Sequence, residues 1–228
     1  MIRNIALLAL SLTAGAASAA TIPATLTFNS DSNTAYTNVL PAAQSGSVLI
    51  DFNFTYTGAT VDNNDFLALW FGNSNNMSQA YKGPNVGFKA NCGTGGSCTN
   101  DLFARLGGES GPFMNNSNLV AGTTYNIFAN LYKAAGSTTY NRFDMWLNAT
   151  AAEKASLTGA DLKATGNSSL TSFNTIGVRT LGLDKGLSVN VNNLRVSGFA
   201  TEVPEPSSVA LMGLALAGLA FTRRNKRG

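Results

Sequence analysis

The chain contains no histidine. That absence removes Ser-His-Asp and Cys-His nucleophilic catalysis, histidine metal sites and a histidine general base. Four sets of residues keep types and spacings that could do chemistry. Asp62, Asn63, Asn64 and Asp65 offer four oxygen-bearing side chains in a row, the donor type that Ca²⁺ takes. Calcium needs about six or more oxygens. The plainer reading is an Asx-rich turn whose side chains bond their own backbone. Tyr140, Arg142, Asp144 and Trp146 share one parity of an alternating stretch. Aromatic and polar groups together on a sheet face suit a sugar, whose CH-rich face stacks while its hydroxyls bond. The competing reading puts Trp146 and Tyr140 under a loop, as packing residues. Cys92 and Cys98 flank Gly93-Thr94-Gly95-Gly96-Ser97. Their spacing is neither a C-x-x-C redox motif nor half of a zinc cluster. In an exported chain an even pair reads as a disulfide pinning a surface loop. The fourth set is the acidic residues. Carboxylate-pair hydrolysis needs two acids about 5–10 Å apart. Glu109, Glu153, Glu202 and Glu205 begin no alternating acidic strand pattern, which places an enzyme behind a binding or structural protein.

The elements that would position these groups are strands. From Val48 to Tyr56, Val48, Ile50, Phe52, Phe54 and Tyr56 alternate with Leu49, Asp51, Asn53 and Thr55, the pattern of a half-buried strand. Asp65 to Phe71 is apolar on both parities and predicts a central strand covered on both faces. Shorter strands are expected at Asn85–Ala90 and Asp101–Leu106, on either side of the cysteine loop. Thr123–Lys133 and Thr139–Leu147 read as a hairpin turned at Gly136-Ser137. In its second arm Phe143, Met145 and Leu147 should face the core, and Tyr140, Arg142, Asp144 and Trp146 should face outward. Ala149–Ala164 is the one stretch that reads as a helix, weakened by Gly159. Thr175–Leu181 and Leu187–Phe199 close the body. Apolar parity switches at Asn192-Asn193, which predicts a β-bulge. An Asn-, Thr-, Ser- and Gly-rich chain with few charges suits many short strands joined by turns.

The two ends differ from the body. Met1–Ala20 has the form of a secretory signal peptide: Arg3, an apolar run from Ile5 to Ala17, then Ala17-Ser18-Ala19, with cleavage expected after Ala19 or Ala20. At the other end, Val203-Pro204-Glu205-Pro206 precedes an uncharged run from Ser207 to Thr222 and a basic cluster of Arg223, Arg224, Lys226 and Arg227. As a helix that run is roughly 25 Å long, slightly short of a ~30 Å hydrocarbon core, and its basic end would hold the cytoplasmic side. The net charge of +3 belongs to these ends. Between Thr21 and Pro206 ten basic residues stand against twelve acidic ones, a net of −2. With no basic stripe, the body has no nucleic-acid footprint. About 180 residues between the ends make one domain with a sizeable core, divided as 1–20, 21–202 and 203–228.

This tail resembles the PEP-CTERM sorting signal of bacterial exported proteins, in its V-P-E-P motif, single hydrophobic helix and final arginine-rich cluster. The resemblance implies recognition by an exosortase, a membrane transpeptidase, after an inner-membrane intermediate, and delivery to the cell surface or extracellular matrix. Such proteins are associated with exopolysaccharide and biofilm. The body resembles a concanavalin A-like (laminin-G-like) jelly roll through its NDFLALWFG strand, FDMWLN arm, TIGVRT strand and closing VNVNNLRVSG strand. It implies an all-β, two-sheet sandwich. Glycosidases of this fold carry an E-x-D-x-x-E strand, and none is present here. The expected protein is a non-catalytic binding or matrix component that needs no cofactor, with a jelly-roll carbohydrate enzyme and a purely structural adhesin as rivals.

Overall fold

The computed structural model describes residues 20–21, 25–29, 35–58, 65–73, 83–92, 98–108, 111–114, 117, 119–183 and 186–199. Residues 1–19 of the signal segment, the sorting tail and Asp62–Asn64 lie outside them. The described chain is a two-sheet sandwich of antiparallel strands. The larger sheet, sheet A, runs β1 (Ala20–Thr21), β12 (Ser188–Phe199), β4 (Ser47–Thr57), β8 (Thr124–Tyr132), β9 (Arg142–Leu147), β10 (Leu162–Thr165), with β2 (Thr25–Asn29) also pairing β12. Sheet B runs β3 (Ala35–Gln44), β11 (Phe173–Leu181), β5 (Phe66–Gly72), β6 (Asn85–Cys92), β7 (Cys98–Arg105).

Alternation decides which face meets the core. On β4 the set Val48, Ile50, Phe52, Phe54 and Tyr56 is buried and its neighbours are half-buried. Phe54 stacks on Phe88 of β6 at 5.2 Å between ring centroids, across the two sheets. Such pairs add about 0.5–1.5 kcal/mol beyond the area they bury. β5 lies at the centre of sheet B and is buried on both faces, as its composition requires. Leu67, Leu69 and Phe71 enter the core. On the other side the Trp70 indole lies against Gly177 of β11, where a Cβ would come within 2.3 Å of Trp70 Cε2. Only glycine leaves room for that ring. The bulge falls as expected: the β12–β4 register shifts between Asn192 and Arg195, and Asn193 takes φ 57°. Both Leu194 and Val196 are thereby returned to the core.

Two expectations are corrected. The single helix over 149–164 is instead α1 (Ala151–Ser156) followed by β10. Thr150 caps α1 in a reciprocal box with Glu153, and the helix ends where Leu157 turns left-handed at φ 54°. Gly159 then takes φ 74°. Beyond it Leu162 and Ala164 are buried while Lys163 and Thr165 are exposed, a period of two that pairs with β9. The hairpin also differs. β8 does pair with β9, but its loop runs from 133 to 141, because Tyr140 leaves the strand and enters the core.

Candidate functional site

β9 presents the residues proposed for a glycan, and sheet A does place Arg142, Asp144 and Trp146 on its outer face. They are not open to a ligand. Trp146 is fully buried. Its ring packs on Phe128 of β8 at 5.2 Å, and its Nε1–H donates to the Thr158 carbonyl at 2.9 Å. The segment after α1 therefore roofs the indole. Lys154 of α1 clamps that roof to the sheet, 2.7 Å from Asp51 Oδ2 and 5.4 Å from the Phe128 ring. Asp144 is also buried, and its Oδ2 accepts from the Tyr132 hydroxyl at 3.1 Å. Burial, then the Asp144 charge, push the Tyr132 hydroxyl above its ordinary range. Arg142 is half-buried and donates from Nη1 to the Asn141 carbonyl at 2.8 Å. The expected stacking platform is thus a packing cluster, a correction to the outward-facing reading. Parity gave the correct side of the sheet, but it carries no information about what lies over that side.

Tyr140 is corrected more fully. It belongs to the core cluster, next to Phe173 at 5.7 Å. Its hydroxyl donates to the carbonyls of Gly46 at 2.8 Å and Gln44 at 3.2 Å. Burial pushes that hydroxyl well above the usual tyrosine range.

Of the proposed calcium set, only Asp65 lies among the described residues. It is fully buried just before β5. Among the described residues no group of three or more His, Cys, Asp or Glu could hold a metal ion. Cys92 and Cys98 face each other in the backbone register that ends the β6–β7 ladder. Opposed antiparallel residues have Cα atoms about 4.5–5.5 Å apart, inside the range a disulfide spans. Glu153 remains on the surface, where Thr150 donates to it and holds its carboxyl below the ordinary range.

A different surface gathers aromatic and cationic groups, and linear reading missed it. On the outer face of sheet B the register sets Gly177, Trp70, Asn85 and Arg105 in one row. Arg179, Ala68, Gly87 and Phe103 form the next, and Leu181, Phe66, Lys89 and Asp101 the one after. The Arg105 guanidinium lies over the Phe103 ring at 4.3 Å and near Phe113 at 5.8 Å. Arg179 lies 5.8 Å from the Phe66 ring. Trp70 Nε1 is buried and has no hydrogen-bond partner among the described residues. Asp101 is buried too, accepting from Thr99, Asn91 and Ser117 at 2.7–3.0 Å. Phe66, Lys89, Arg105, Phe113 and Arg179 are half-buried. Their spacing follows strand order, so only the pairing of β11, β5, β6 and β7 brings them together.

These features define a two-sheet jelly roll of concanavalin A type carrying a C-terminal sorting motif. Residues 202–224 match the PEP-CTERM protein-sorting motif, which marks an exported protein sorted to the cell surface. No curated protein matches this chain. The chain is similar to the solved Emp46p carbohydrate recognition domain in its metal-free form, at 11% identity over 79% of this chain and 85% of that one, with a TM-score of 0.51. The corresponding Emp47p domain gives 11% identity over 80% and 86%, with a TM-score of 0.48. Alginate lyase Aly36B gives 13% over 75% and 82%, with a TM-score of 0.42. At 11% identity the likeness to the Emp46p domain shows the fold alone. No helix among the described residues is long and apolar enough to cross a membrane; the apolar run Ser207–Thr222 lies outside them.

Proposed function

We propose that this chain is a surface-sorted, non-catalytic component of an extracellular matrix, associated with exopolysaccharide. The sorting motif at residues 202–224, following β12 of a jelly-roll body, is the observation that carries this reading. An exosortase acts near Val203-Pro204-Glu205-Pro206. The run Ser207–Thr222 holds the chain in the inner membrane until then, with Arg223, Arg224, Lys226 and Arg227 on the cytoplasmic side. Met1–Ala20 is the export signal. A non-catalytic role draws support from the missing histidine and from the buried, hydrogen-bonded state of Asp144 and Asp101.

With the β9 face roofed, glycan contact falls to the outer face of sheet B. Lys89, Arg105 and Arg179 supply positive charge there, and Phe66 and Phe113 supply rings. That combination suits an acidic polysaccharide. A shallow site of this kind binds weakly per copy, and display of many copies on a surface compensates through avidity. The test incubates the mature protein with extracted anionic exopolysaccharide. Salt-sensitive co-sedimentation that is weakened in Lys89→Ala and Arg105→Ala variants, with polymer length unchanged, supports the reading. Depolymerisation of the polysaccharide overturns the non-catalytic role, and absent or variant-insensitive co-sedimentation overturns the assigned face.

A further inference from the structure

We infer that one pole of the sandwich is built to lie against the lipid bilayer that holds the tail, leaving the opposite pole to face outward. This inference rests on the anchoring reading of residues 207–222 given above.

The argument starts from where the chain enters and leaves the body. Ala20 pairs with Val196 and Thr21 with Arg195, antiparallel, so the segment before Ala20 leads toward the C-terminal end of β12. The tail departs from that same end, where Phe199 pairs with Ser47. Both terminal segments therefore leave from one pole. The same pole holds the 45–46 turn, the 133–141 loop and the 166–172 loop. The opposite pole holds Gly58, the 119–123 turn and Gly186.

Reach then decides orientation. From Phe199 to Ser207 the chain spans at most about 28 Å when fully extended. β12 itself has 12 residues and is roughly 40 Å long. The tether is thus shorter than the body, and the far pole is out of reach of the membrane. The near pole is the end held within about 28 Å of it.

That pole is cross-braced, with Tyr140 at its hub. Its hydroxyl bonds the 45–46 turn, its N–H donates to the Leu170 carbonyl at 2.9 Å, and its carbonyl accepts from Ser168 Oγ at 2.7 Å. Lys133 Nζ bonds the Thr171 carbonyl at 2.6 Å and lies 5.0 Å from the Tyr140 ring. Asn73 Nδ2 bonds the Ser172 carbonyl at 2.9 Å. Loops cross-braced in this way make a plate that keeps its shape against a surface. Lys133 and Arg142 lie at this pole, each bonded to a backbone carbonyl.

The test uses the full chain in vesicles of phosphatidylglycerol and phosphatidylethanolamine, with a benzophenone amino acid at exposed Ala135 or at exposed Val120 on the far pole. Alkaline washing first establishes anchoring, and release of the chain at that step removes the anchoring reading and this inference together. With the chain retained, illumination should give lipid adducts from position 135 and background from position 120. Equal adducts, or more from position 120, overturn the orientation while leaving the anchoring intact.

Discussion

Trp146 separates packing from binding most sharply, because the two roles predict opposite outcomes for one substitution. The indole is fully buried, tilted against Phe128 at 5.2 Å between ring centroids and bonded to Thr158 at 2.9 Å. Trp146→Ala removes the ring, its contact with Phe128 and the hydrogen bond together, and such truncations cost about 3–5 kcal/mol. For a body of this size each kcal/mol moves Tm by about 2–4 °C, so the melting temperature should fall by roughly 6–20 °C. Trp146→Phe keeps a ring against Phe128 and strands only the Thr158 carbonyl, for a loss of about 1–2 kcal/mol. Urea unfolding of the mature protein, followed by far-UV circular dichroism, measures both. The graded order Ala worse than Phe worse than native is the signature of packing. A Trp146→Ala protein within about 0.5 kcal/mol of native, the range of ordinary surface substitutions, would refute the roofed-indole account.

Other outcomes follow from separate parts of the molecule. Intact mass of the unreduced exported protein should rise by one pair of hydrogens on reduction, for a Cys92–Cys98 bond. Losing that bond should cost about 2 kcal/mol because the loop is small, and two free thiols before reduction would rule it out. Gly177→Val should destabilise by about 1–3 kcal/mol or more, since its side chain must displace the Trp70 ring; an unchanged melting curve would contradict the stacked geometry. The Tyr140 hydroxyl has its folded pKa raised by burial. Its contribution is fully present below about pH 10, where unfolded tyrosine titrates, and is lost as pH rises beyond that. Absorbance at alkaline pH should show Tyr140 ionising only with unfolding, and Tyr140→Phe should remove that component; early ionisation in the native state would refute its burial.

Much of the architecture was legible because its signals are local. The alternation of β4, the two-sided apolarity of β5 and the parity switch at Asn192-Asn193 each reflect a strand's own pleat. The 149–164 stretch was harder. Its capping box at Thr150 and Glu153 is a true helix start, but the left-handed Leu157 ends it within two turns, and β10 forms because β9 offers an edge. Tyr140 and Trp146 show the limit for the site. Parity places Trp146 on the outer face, yet the roof over it comes from Thr158, whose position depends on Lys154 reaching Asp51 across 103 residues. The aromatic and cationic rows of sheet B are invisible in linear order for the same reason: Arg179 and Phe66 are brought together only by the β11–β5 pairing.

The central claim, that the sorting tail delivers this body to the cell surface, is tested most directly by fractionating native and Glu205→Ala chains from one bacterium with its exosortase present or deleted. The account predicts a surface form shortened by the mass of its tail only for the native chain with exosortase present, and membrane-bound chain that keeps its tail in the other three cases. The same shortened surface form in all four would contradict it.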